Sequence, residues 1–144
     1  MRISHDALVL VADGRKSLFL RNEGDEEFLN LVVEDQAAQW DPEDREVKTD
    51  AAGQRPSGAT PRQDSTAEAD YHQQAEDRFA AEAALMLKEK AARFDELVIV
   101  APPRTLGELR KHYDTAVEAK IVAEVDKDLV NHPIDKLESL LQTL

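Results

Sequence analysis

The sequence contains no cysteine, so disulfide scaffolds, thiolate zinc sites and cysteine nucleophiles are excluded. Glycine is scarce at five residues, and aromatic residues make up only 5% of the chain, with a single tryptophan. No apolar run approaches the roughly 20 residues that span a bilayer, so no membrane association is expected. Basic residues are also short: 18 Lys and Arg face 30 Asp and Glu, for a net charge of −12. Phosphate contacts draw on an excess of Lys and Arg, so direct DNA binding is not expected. The apolar run that opens at Ala7 stops at Asp13 with no small-residue cleavage region after it. That is not a secretory leader, and the cytoplasm is the expected compartment. No cofactor motif stands out.

What is present is a globular pattern. A hydrophobic content of 42% over 144 residues suits one domain with a core of its own. Ala7–Ala12 is a continuous apolar run, the pattern of a strand covered on both faces. Asp13-Gly14 supplies a tight turn, and Ser17–Arg21 returns as a second strand. Asn22–Asp25 turns again into a third strand over Phe28–Glu34.

Composition then changes. From Asp35 to Asp70 the only large apolar residues are Trp40 and Val47, amid nine acids and four bases. The expectation is a single domain over residues 1–144 carrying a long acidic loop at about 35–65, either functional or without fixed structure. Trp40 in that loop either anchors it to the body or meets a partner.

Ser65-Thr66-Ala67-Glu68 fits a capping box, and Tyr71, Ala75, Phe79, Ala83 and Met86 form one apolar stripe of a helix ending near Arg93. Leu97–Ala101 is a second buried-type strand, closed by Pro102-Pro103. Thr105-Leu106-Gly107-Glu108 is a second capping box, opening a short helix to about Tyr113. Alternation over Val117–Val125 predicts an edge strand with one buried face. Asn131 or His132 can cap a last helix with Pro133 in its first turn. The order βββ-αβαβα implies an α/β fold: a mixed five-stranded sheet flanked by three helices, of the ribonuclease-H-like class.

Two stretches carry a resemblance. Val9-Leu10-Val11-Ala12-Asp13-Gly14 pairs with Phe94–Arg104, which runs on through Leu106-Gly107-Glu108-Leu109-Arg110 and closes on Glu124–Leu129. On these residues the chain resembles the bacterial host attachment protein family. That resemblance implies a non-catalytic binding protein, using its long loop or its strand-end face for a protein or ribonucleoprotein partner. In layout the chain is also similar to the middle domain of archaeal and eukaryotic peptide-chain release factors. There a Gly-Gly-Gln at the tip of a loop before the long helix promotes peptidyl-tRNA hydrolysis. Here the loop carries Ala52-Gly53-Gln54-Arg55, with alanine at the first glycine and Gln54 about eleven residues ahead of the capping box. The resemblance implies Gly53 and Gln54 as the catalytic residues of an alternative, translation-associated function.

Other candidates rest on residue chemistry alone. Arg104, Arg110 and Lys111 form a basic cluster beside a helix start at the end of a central strand, where anions bind in open α/β sheets. Asp126 and Asp128 alternate at a strand end and can share a cation, although turn or capping roles explain them more simply. Asp13 stands where a ribonuclease-H-type metal ligand is found, but a hairpin turn also calls for it, and Leu97–Ala101 ends without an acid. His5, His72, His112 and His132 show no ligand spacing.

Overall fold

The computed structural model describes residues 1–39 and 61–144, with side chains from residue 70 onward in the second stretch. Trp40, Gly53 and Gln54 therefore lie outside the described residues. The elements are β1 (Leu8–Ala12), β2 (Lys16–Asn22), β3 (Leu31–Ala38), α1 (Pro61–Ala91), β4 (Leu97–Val100), α2 (Pro103–Arg110), α3 (Thr115–Lys120), β5 (Ile121–Val125) and α4 (Ile134–Thr143). The fold is α/β, with one mixed five-stranded sheet in the order β3-β2-β1-β4-β5. The β1–β2 and β2–β3 pairs are antiparallel, whereas β1–β4 and β4–β5 are parallel.

Alternation along the central strands divides the core in two. Leu8, Leu10, Ala12 and Phe19 face a layer built from α1, α2 and α3, with Ala80, Ala83, Leu87, Leu109 and Val117. Val9, Val11, Leu18 and Leu20 face Leu137 and Leu141 of α4, together with Leu129 and Val130. Successive side chains of a strand point to opposite faces, so a run apolar at every position needs a cover on both sides.

Several boundaries differ from the sequence expectation, each for a local reason. β3 starts at Leu31, not Phe28, because the turn before it uses up the backbone groups. Asp25 Oδ1 accepts from the Glu27 and Phe28 amides, and Asn22 Oδ1 accepts from those of Gly24 and Asn30. α1 is helical from Pro61, four residues before the capping box, so part of the expected loop is helix. Among its described side chains the first buried one is Ala75, and Tyr71 is 44% exposed. α2 begins at Pro103, and Thr105 is buried within it; proline at the first helical position has its φ already set.

The largest correction concerns Val117–Val125, whose first half is helix rather than strand. Asp114 Oδ1 accepts from the Val117 amide at 2.8 Å, capping α3, and β5 starts only at Ile121. Four helices, not three, are thus described. Likewise Pro133, not Asn131 or His132, occupies the cap position of α4.

The β2–β3 register shifts between Phe19 and Leu20, a bulge that turns Asp35 toward α1. There Lys90 Nζ sits 2.8 Å from Asp35 Oδ2 and 5.3 Å from the centre of the Phe19 ring. The hydrogen bond from Lys90, followed by that from the Gln36 amide, holds the Asp35 carboxyl below its ordinary value. A carboxylate lowered by folding contributes stability above its unfolded pKa and loses it as pH falls through the folded one. Asp35→Asn should therefore flatten the loss of stability below about pH 4, the ordinary aspartate range. Urea midpoints between pH 2.5 and 7 would test this, and identical pH slopes in both proteins would refute it.

Candidate functional site

Parallel strands β1, β4 and β5 all end at the same edge of the sheet. In open α/β sheets this carboxyl edge is where ligands are held. The β1–β2 hairpin lies there: Asp13 Oδ1 accepts from the Arg15 and Lys16 amides, each at 2.8 Å. That carboxylate oxygen thus serves the turn. β3 ends beside it, since Ala38 pairs with Lys16 and the Gln39 amide donates to the Arg15 carbonyl at 2.7 Å. The chain accordingly leaves the sheet at this edge on its way to residues 40–60.

α1 brings it back. A Cβ on Gly14 would lie 2.7 Å from Glu76 Oε1, so glycine lets the hairpin tip approach the helix closely. From Ala91 the chain enters β4 at the opposite edge, so α1 runs antiparallel to β4. At 1.5 Å per residue, Pro61–Ala75 adds about 22 Å of helix beyond the Gly14 contact. Asp70–Gln74 are exposed or half-buried, which fits a helix that has run past the sheet. A cavity of about 240 Å³ sits at this root, between Ala37–Gln39 and Ala75, Arg78, Phe79 and Glu82.

The basic candidates are split. Arg104 is exposed at the start of α2, on the carboxyl edge. Arg110 and Lys111 lie at the other end of α2, about 9 Å away along its axis, and both carry acidic partners. Arg110 donates to Glu124 Oε1 from Nε at 3.1 Å and Nη2 at 2.8 Å, and Lys111 Nζ donates to Glu108 at 2.7 Å. These carboxylates raise the pKa of each cation. Asp126 and Asp128 are exposed just after β5, and Asp126 acts on Arg110. Among the described residues, no group of three or more His, Asp or Glu is arranged to hold a metal ion. No described helix is long and apolar enough to cross a membrane.

Sequence reasoning missed a second cavity, of about 340 Å³, lined by Arg110, Tyr113, Glu118, Ile121 and Glu124. Reading Val117–Val125 as one strand put Glu118 on the wrong element. Asp114 followed by Thr115-Ala116-Val117 was the available signal for a helix start. Burial first, then the Glu124 carboxylate, pushes the Tyr113 phenol well above its ordinary pKa, so the ring stays neutral.

A curated relative, "Uncharacterized protein RP470" of Rickettsia prowazekii (strain Madrid E), is 36% identical over 47 residues. That alignment takes in 33% of this chain and 31% of the relative, about a third of each. A family model described as "Bacterial archaeo-eukaryotic release factor family 12" matches residues 6–141. The match runs from the turn before β1 into α4 and so spans both flanks of the connection between β3 and α1. It supports the release-factor resemblance and gives none to the host-attachment one. With 6–141 matched, the chain belongs to the bacterial archaeo-eukaryotic release factor family 12.

Proposed function

We propose that this protein is a translation-associated factor that presents the connection between β3 and α1 to ribosome-bound peptidyl-tRNA. The observation that carries the reading is the family match across both flanks of that connection. The geometry favours it as well, because the helix that follows the connection starts about 22 Å beyond its contact with the hairpin. Gly53 and Gln54 fall within the connection and are the residues assigned to the chemistry. Glycine lets the backbone approach an ester closely, and the glutamine carboxamide offers both a donor and an acceptor to an attacking water. Arg104, on the same edge, is an exposed cation that can meet phosphate there, beside Arg15 and Lys16 of the hairpin.

A net charge of −12 disfavours unaided binding to RNA. Contact with the ribosome is therefore assigned to protein surfaces as well as to tRNA. Sedimentation through a sucrose gradient tests this: the wild-type protein should travel with ribosomes, and Gln54→Ala should travel with them too. In a peptidyl-tRNA release assay the same variant should be at least about tenfold slower, the low end for loss of a group that handles a proton or water. Replacing residues 41–59 by Gly-Ser of equal length should abolish release. Free migration of the wild-type protein, or unchanged release by Gln54→Ala, would sink the proposal.

A further inference from the structure

The cavity beside β5 belongs to another part of the molecule. β3 and β5 are opposite edges of the sheet, and Ile121 pairs with Leu97 at the amino end of the parallel strands. The root of the 40–60 connection is at the carboxyl edge, next to β2 and β3. A ligand in this cavity therefore leaves that root free.

Its walls define the chemistry. Ile121 gives the lining an apolar side chain and Tyr113 an aromatic one that burial keeps uncharged. Glu124 is already engaged: Oε1 takes two hydrogen bonds from Arg110, and Oε2 accepts from Tyr113 Oη at 3.4 Å. Arg110 and Glu124 thus cancel, and Glu118 remains as the unmatched charge of the lining. Its carboxylate is exposed and is near enough to Tyr113 to raise the phenol's pKa. One further positive charge brings the cavity to neutrality, within a molecule that is strongly acidic overall.

Two alternatives fit less well. An added β-strand is disfavoured because the β4–β5 register shifts at Leu97/Val98, leaving Val122 as a bulged residue that is 57% exposed. Bulges blunt an edge against strand pairing. A phosphate is disfavoured by the two carboxylates. A guanidinium fits: its plane lies against an aromatic ring, its fork matches a carboxylate, and its methylene stem covers an apolar floor. Arg110 already sets two of its donors on a single oxygen of Glu124 in the neighbouring position.

We infer that the Tyr113–Glu118–Ile121 cavity is a docking site for an arginine side chain presented by a basic protein partner. The site stands independently of the release chemistry assigned to Gln54. The test is fluorescence anisotropy of the intact protein with a labelled Gly-Arg repeat peptide at 150 mM salt, beside its citrulline counterpart. Citrulline keeps the shape and removes the charge. The arginine peptide should bind and the citrulline peptide should not. Glu118→Gln should weaken binding about fivefold, at the upper end for one exposed charge pair. Tyr113→Leu should weaken it similarly. Asp70→Asn makes the same charge change far along α1 and should cost less than twofold. Equal binding of both peptides would overturn the site, as would equal weakening by Asp70→Asn and Glu118→Gln, which means general charge attraction. Glu118 is a surface residue, so its variant keeps the test decisive if Tyr113→Leu fails to fold.

Discussion

Asn22→Ala should lower the stability of the protein by about 3 kcal/mol, measured as the shift of a urea unfolding curve at constant slope. The side chain is fully buried at the end of β2, yet it is polar at both ends. Its Nδ2 donates to the carbonyls of Ile3, Ser4 and Asp25 at 2.9, 3.2 and 3.3 Å. Its Oδ1 accepts from the amides of Gly24 and Asn30 at 2.9 and 3.0 Å. One carboxamide thus fastens the amino-terminal segment and the β2–β3 turn to each other. Truncation strands these backbone groups at about 1–3 kcal/mol for each that water does not reach. Asn22→Asp should be at least as costly at pH 7, because a carboxylate oxygen would then face three carbonyl oxygens. A loss below about 1 kcal/mol for Asn22→Ala would mean that water replaces the carboxamide freely.

Gly24 makes the same turn intolerant of change. A Cβ there would come 2.1 Å from the Phe28 carbonyl oxygen and 2.8 Å from the Asn30 nitrogen, both of them backbone atoms.

Phe19→Ala should cost about 3–5 kcal/mol, the range for deleting a buried aromatic ring. Phe19 is fully buried on the sheet face beneath α1, and the α1 residues of its cluster are Ala80, Ala83, Ala84 and Ala91 together with Leu87. Alanines let the helix come close, but they cannot reach across to refill the space the ring leaves. The Lys90 ammonium, held over the ring while paired to Asp35, loses that partner as well. Hydrogen exchange should quicken along residues 75–91 more than in α4, which packs on the other face. Phe28→Ala provides the contrast: that ring is 71% exposed, and its loss should stay within about 0.5 kcal/mol. Equal losses at the two positions would contradict the burial of Phe19 against α1.

The fold was legible where one element is enough to express it. β1 and β4 are apolar at every position, and only a strand covered on both faces uses such a run. The stripe of α1 from Ala75 through Phe79 and Ala83 was equally readable. Legibility failed where a single capping contact outweighs periodicity. Val117–Lys120 alternates like a strand, but the Asp114 carboxylate on the Val117 amide starts a helix. The site was legible only in part. The sequence named Arg110 and Lys111 as cations, while the carboxylates that hold them come from Glu124, fourteen residues away, and Glu108, three away. The Tyr113 cavity was not readable, because its walls come from the end of α2, from α3 and from β5.

By itself, then, the sequence determined the class of the molecule: an acidic α/β chain, free of thiol chemistry, with three meandering strands, a long helix and a βαβ return. Those features follow from side-chain periodicity and composition, which act over a few residues. Only the tertiary structure decided that the Asp13 hairpin, the end of β3 and the start of α2 share one edge of the sheet. It also decided that α1 runs past that edge and that an acidic cavity sits beside the opposite strand. These juxtapositions depend on which strands pair and on how closely a helix of small residues approaches them, which no single stretch of the chain encodes.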